Sequence, residues 1–138
     1  MKIEFGSDPR NESFARVVVA SFMTRTNPTL EEVADVKTAV SEAVTNSIIH
    51  GYGQKEGTIE IRAYIEERKL YIEITDYGCG IEDVEKAMEP MFTTGKDGRS
   101  GMGFSFMEAF MDELTVESEP GKGTTVKMAK KIGAGCAV

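Results

Sequence analysis

Glu42, Asn46 and His50 recur at i, i+4 spacing within a segment patterned as a helix, so all three project from one narrow stripe beside its apolar face. A carboxylate there can take the proton of an attacking hydroxyl, and an amide oxygen is a hard ligand suited to Mg²⁺ on nucleotide phosphates. Glu42 is thus a candidate general base and Asn46 a candidate metal ligand. The same stripe also reads as a solvated helix face, and His50, near the helix C-terminus, interacts favourably with the helix dipole in either case. Further along, Asp76-Tyr77-Gly78-Cys79-Gly80 leaves an apolar strand, which would aim a carboxylate into a pocket while Gly78 and Gly80 let a flat ring approach the backbone. Adenine suits such a pocket, because its exocyclic amine donates a hydrogen bond that a fixed carboxylate accepts. Taken alone, D-x-G-x-G is equally a turn.

Two further stretches could handle phosphates. Arg99-Ser100-Gly101-Met102-Gly103 opens a predicted helix, where free amides and the positive dipole end receive anions. No G-K-[ST] follows, and Phe106 occupies the third position of a G-x-G-x-x-G pattern, so the Walker and dinucleotide loops are disfavoured. Between the glycine loops, Thr93, Thr94, Lys96 and Arg99 could close over a triphosphate as a lid; an ordinary surface loop is the alternative. Gly123-Thr124-Thr125 enters the last predicted strand, where the Thr124 hydroxyl could sit beside Asp76 and hold a water against the base. Threonine at a strand start is common in any case.

The elements that must position these residues follow from periodicity. Ile3 and Phe5 alternate with Lys2 and Glu4 as a short strand, and Asp8-Pro9 breaks it. Phe14, Val17, Val18 and Phe22 fall at helical spacing, and the run Val17 to Ala20 is apolar nearly all round, which suggests burial on more than one side and a dimer or partner surface. Thr29 and Glu32 form a capping box that starts a helix running to about His50, with Val33, Val36, Val40, Val44 and Ile48 as its buried stripe and Gly51 and Gly53 as its stop. Ile59, Ile61, Ala63 and Ile65, then Leu70, Ile72 and Ile74, alternate on either side of a Glu67-Arg68 turn as an antiparallel hairpin. A glycine-rich stretch from Asp76 to Gly103 contains a short helix from Glu82 to Met88 that Pro90 ends. A helix from Phe104 to Met111 and strands over 114–119 and 124–128 complete the pattern, with a frayed tail from Ile132. The order predicts an α+β fold, a two-layer α/β sandwich with a mixed, mostly antiparallel sheet and helices on one face.

At 138 residues the chain fits one domain, and its 41% hydrophobic and 28% charged composition is ordinary for a soluble protein. A net charge of −7 without a basic cluster argues against a nucleic-acid partner. Cys79 and Cys136 are far apart and the chain has a single histidine, so neither a disulfide framework nor a zinc site is suggested. Residues 1–5 lack a basic stretch followed by an apolar run, and no segment approaches the roughly 20 apolar residues of a membrane span. The expectation is a cytoplasmic protein with no membrane contact.

In order along the chain, E-x-x-x-N from Glu42, D-x-G-x-G from Asp76, G-x-G from Gly101 and G-T at Gly123 resemble the four nucleotide boxes of the Bergerat, or GHKL, ATPases, the histidine-kinase-like ATP-binding fold. The stretch Ser41-Glu-Ala-Val-Thr-Asn-Ser-Ile-Ile-His-Gly-Tyr52 is similar to the anti-sigma-factor kinase branch of that family. The resemblance implies one ATP-binding kinase domain over 1–138 that takes ATP or ADP with Mg²⁺ and forms a homodimer through its first strand and helix. It further implies a protein that binds a sporulation sigma factor (sigma-F) and phosphorylates a serine of an anti-anti-sigma antagonist (SpoIIAA). By position, Glu42 would be the general base, Asn46 the Mg²⁺ ligand, Asp76 the adenine anchor, Gly101 and Gly103 phosphate neighbours, and Thr124 the support of an adenine-side water. Arg16 resembles a partner-contact position. The chain lacks the phospho-acceptor and transducer domains of larger relatives, which points to a stand-alone kinase. A paralogous stress-response anti-sigma kinase and a nucleotide-gated sigma-binding module without catalysis are the competing readings.

Overall fold

Alternation of β-branched and charged residues produces five strands, and 3.6-residue periodicity produces the helices that cover one side of them. The computed structural model describes residues 1–53, 55–88 and 103–133. Along the chain these form β1 (Lys2–Gly6), α1 (Asn11–Met23), a 3₁₀ turn (Thr24–Thr26), α2 (Leu30–Asn46), a π-helical turn (Ser47–Gly51), β2 (Thr58–Glu66), β3 (Lys69–Asp76), α3 (Val84–Ala87), α4 (Gly103–Phe110), β4 (Glu113–Glu119) and β5 (Gly123–Lys131).

The sheet order is β1-β2-β3-β5-β4, and every pairing among the described strands is antiparallel, so the sheet is not mixed. Each neighbouring pair runs antiparallel, including β3 with β5, which are joined through the α3–α4 region. Register aligns Ile3, Ile61, Ile74, Val126 and Val116 in one row across the sheet, and Ala63, Ile72, Met128 and Leu114 in the next. These rows face the helices. Ile61, Ile72 and Ile74 are fully buried against a layer that includes Val36, Val40 and Val44 of α2, Val19 and Met23 of α1, and Met107 of α4. Burying an aliphatic side chain of this size contributes about 1.5–3 kcal/mol, so the two rows are a principal source of cohesion. The opposite face carries charge and a stacked Tyr64–Tyr71 pair with ring centroids 4.7 Å apart.

α2 starts as its sequence predicts. The Thr29 hydroxyl accepts the Glu32 amide at 3.1 Å and the Glu32 carboxylate accepts the Thr29 amide at 2.8 Å, a complete capping box. Its end differs from expectation. α-helical bonding stops at Asn46, and Ser47–Gly51 closes as a π turn in which the Tyr52 amide donates to the Ser47 carbonyl at 3.0 Å. One residue is thereby inserted into the last turn, a device that occurs often at functional sites.

α1 buries Ala15, Val19 and Met23 but leaves Phe14 and Val17 half or more exposed, so within one chain it packs on one side alone. Ile132 is not frayed: it is fully buried, and its amide donates to the Arg68 carbonyl at 2.8 Å. Among the described residues no helix is long and apolar enough to cross a membrane.

Candidate functional site

The apolar rows of the sheet turn polar at one end. The row beyond Ile61 and Ile74 reads Phe5, Ile59, Asp76, Thr124 and Ser118. Because Asp76 is in phase with Ile72 and Ile74 on β3, its carboxylate is carried on the core face of the sheet, toward the end of α2, and only 4% of the residue is exposed. A buried carboxylate needs donors. The Gly78 amide donates to Oδ1 at 3.0 Å, and the Ser47 hydroxyl and Thr124 amide also favour the charged form. Burial outweighs them, so the carboxyl titrates above the ordinary aspartate range.

Asp76 and Thr124 form the floor of a cavity of about 470 Å³, within the size range of small-molecule sites. Asn46, His50 and Gly51 from the end of α2 make one wall, and the loop from Cys79 to Asp83 with Lys86 makes another. Phe104 of α4 contributes an apolar surface. The structure thus gathers Asn46, His50, Asp76, Gly80 and Thr124 around one space.

Glycines make this assembly possible. A methyl group on Gly78 would lie 2.0 Å from the Gly51 carbonyl oxygen. The same carbonyl accepts the Cys79 amide at 2.8 Å, so Gly78 is required for the loop to lie against the helix end. Gly51 in turn leaves room for the carboxylate, since a methyl there would sit 2.8 Å from Asp76 Oδ1. Gly103, the first described residue of α4, meets the Asn46 amide in the same manner, with Nδ2 3.0 Å from the position of a methyl carbon. Gly51 reads in the sequence as no more than a helix stop; its contact with Asp76 spans 25 residues and leaves no local signal.

Ser47 and Ser118 are site residues that sequence reasoning missed. The Ser118 hydroxyl accepts the Ile81 amide at 2.7 Å, donates to the Gly123 carbonyl at 2.9 Å and lies 2.8 Å from Thr124 Oγ1. Thr124 therefore offers its amide to Asp76 while its hydroxyl is engaged with β4. His50 contributes its carbonyl, which accepts Cys79 Sγ at 3.0 Å. Glu42 is half-buried one turn before Asn46 and does not line the cavity among the described residues. Arg16 is elsewhere, on α1, where Nε lies 3.8 Å from Glu12 and Nη2 donates to Ser13 Oγ at 3.2 Å. Thr93, Thr94, Lys96, Arg99, Ser100, Gly101 and Met102 lie outside the described residues, as does Cys136.

Among the described residues no cluster of three or more His, Cys, Asp or Glu side chains could hold a metal ion. A divalent cation at this site would need the Asn46 amide oxygen together with oxygens brought by a ligand, which is the mode expected of Mg²⁺ on a phosphorylated substrate.

An antiparallel sheet covered by helices on one face, with a buried carboxylate under the end of a long helix, is the arrangement of a histidine kinase-like ATPase domain, as comparison with known proteins shows. The family model for the histidine kinase-like ATPase domain matches residues 5–130. Solved structures agree in fold. The Erythrobacter litoralis EL346 blue-light activated histidine kinase superposes with a TM-score of 0.63 at 20% identity, over 88% of this chain and 42% of that one. The mycobacterial sensor histidine kinase MprB gives 0.57 at 22% identity, over 71% of this chain and 70% of its own. Sequence relatives are much nearer. The anti-sigma F factor of Thermoanaerobacter sp. (strain X514) is 60% identical over 135 residues, covering 97% of this chain and 94% of that protein. The anti-sigma F factor of Clostridium acetobutylicum is 60% identical over 133 residues, covering 96% and 93%. The chain belongs to the anti-sigma F factor family, built on a histidine kinase-like ATPase domain.

Proposed function

We propose that this chain binds ATP with Mg²⁺ in the Asp76 cavity, holds a sporulation sigma factor (sigma-F), and transfers phosphate to a serine of that factor's anti-anti-sigma antagonist in the cytoplasm. The observation that carries the reading is the buried Asp76 carboxylate facing the same cavity as Asn46, in a chain 60% identical to proteins named anti-sigma F factor. Asp76 would accept the adenine amine, a bond strengthened by its low-dielectric surroundings. Asn46 would supply an oxygen to Mg²⁺, which when bound neutralises charge on the transferring phosphoryl group. Gly103 packs on the Asn46 amide, so phosphates received at the start of α4 would share a corner with that cation. Glu42 would accept the proton of the serine hydroxyl. Arg16, with the exposed Phe14 and Val17, would serve the partner or homodimer face of α1.

The test is transfer from γ-labelled ATP and Mg²⁺ to the purified antagonist, with Glu42→Gln and Asp76→Asn run alongside. Wild type should label a serine. Glu42→Gln should bind ATP yet lose transfer by about 10²-fold or more, in line with removal of a general base. Asp76→Asn should bind ATP more weakly, though measurably, since an amide oxygen is a poorer acceptor than a carboxylate. Undiminished labelling by Glu42→Gln would remove the base from its assigned residue. A second reading, a nucleotide-gated sigma-binding module without catalysis, is favoured by one observation: Glu42 lies outside the cavity wall formed by the described residues. ATP binding by wild type without any transfer would select it.

A further inference from the structure

The β2–β3 ladder ends at the pair Ile59–Asp76, and the next two residues outward, Thr58 and Tyr77, are bridged by a side chain instead. The phenol of Tyr52 accepts the Tyr77 amide at 2.7 Å and donates to the Thr58 carbonyl at 2.5 Å. Tyr52 follows the π turn, so the inserted residue that ends α2 also sets the position of this ring. Gly57 leaves space for it, since a methyl there would lie 2.3 Å from the ring. Partial burial raises the phenol above its ordinary range, and it stays a donor at neutral pH.

We infer that Tyr52 is the positioning residue for the Asp76 carboxylate, acting through the Tyr77 amide, and so sets the chain's preference for a nucleotide base bearing an exocyclic amine. This rests on the nucleotide reading above. On its β-strand side Asp76 is held by the ladder; on its loop side the Tyr52 bridge anchors the very next amide. With both neighbours fixed, the carboxylate is presented in one place without relying on the ligand, and such preorganisation is worth most where donor and acceptor meet in a buried site. Both bridged backbone groups belong to exposed residues, so water can replace the phenol for stability while the fixed geometry is lost.

The experiment measures affinity for ATP and for purine riboside triphosphate, which lacks the 6-amino group, in wild type, Tyr52→Phe, Asp76→Asn and the double variant, with melting temperatures beside them. Tyr52→Phe keeps the ring over Gly57 and should remain folded. It should weaken ATP by about tenfold, the scale of one lost hydrogen bond, and leave purine riboside triphosphate nearly unchanged. In the Asp76→Asn background the same change should cost nothing more. Equal losses for both nucleotides, or an undiminished loss in the double variant, would mean a merely structural role and overturn the inference, as would wild-type ATP affinity in Tyr52→Phe. Failure of wild type to bind either nucleotide would instead overturn the nucleotide reading and this inference with it.

Discussion

Strand β3 joins two ends of the molecule that solve the same problem, how to leave a sheet, in opposite ways. At the Lys69 end the ladder with β2 continues through Glu66–Lys69, and Glu67 and Arg68 both take positive φ, 50° and 66°, in a two-residue hairpin turn. The Arg68 guanidinium donates to the Thr26 and Gly133 carbonyls, and the Glu32 carboxylate accepts the Gly133 amide at 3.1 Å, so polar groups there are spent on one another. At the Asp76 end the ladder stops, a side chain bridges the strands, and polar groups converge on a space. The contrast places the cavity at the strand end whose backbone is held open, not at the end where it is closed.

The comparison breaks most severely at Gly78. Gly78→Ala puts a methyl carbon against the backbone of Gly51, which has no flexible end to move aside, and overpacking of that kind costs about 1–3 kcal/mol. Nucleotide affinity should fall along with melting temperature, because the displaced elements carry both Asp76 and the cavity wall. A Gly78→Ala protein that melts and binds ATP as wild type does would show the loop is not locked to the helix end.

Glu32→Ala attacks the closed end instead. It removes the carboxylate half of the capping box and the Gly133 contact together, for a loss of about 1–2 kcal/mol. ATP affinity should be unchanged in the folded protein, since Glu32 sits at the opposite end of α2 from Asn46. An ATP titration that weakens in parallel with the melt would contradict the separation of the two ends.

How much of this was legible in the sequence follows the same division. The capping box at Thr29, the hairpin at Glu67-Arg68 and the alternating rows of β2 and β3 are local patterns, and each forms as its residues predict. The cavity combines residues far apart in sequence. Asn46 and Asp76 stand out by type and spacing, and both line it. The π turn over Ser47–Gly51 and the packing of Gly78 on Gly51 depend on what the helix end meets across the fold, and no helical periodicity encodes that. Ile132 reads as a tail because it follows the last strand, yet its side chain joins the hydrophobic core and the Arg68 carbonyl receives its amide.

The gentlest probe of the open end is pH, acting on Asp76 alone. Its carboxyl is raised chiefly by burial, so the folded protein favours the protonated form. By linkage, that contribution to stability is fully present below the unfolded value near 3.8 and is lost as pH rises through the higher folded value. Binding has the opposite sign. The adenine amine donates more strongly to a carboxylate than to a neutral carboxyl, so ATP affinity should be greatest well above the folded value and fall as acid protonates Asp76 at a pH where an exposed aspartate would still be ionised. The measurement is ATP affinity against pH for wild type and Asp76→Asn, with melting followed over the same range. Wild-type affinity should decline in acid more steeply than that of Asp76→Asn, in which the nucleotide's own phosphate and ring still titrate. A decline of equal size in both proteins would place the titrating group elsewhere and leave Asp76 without its assigned role as the base acceptor.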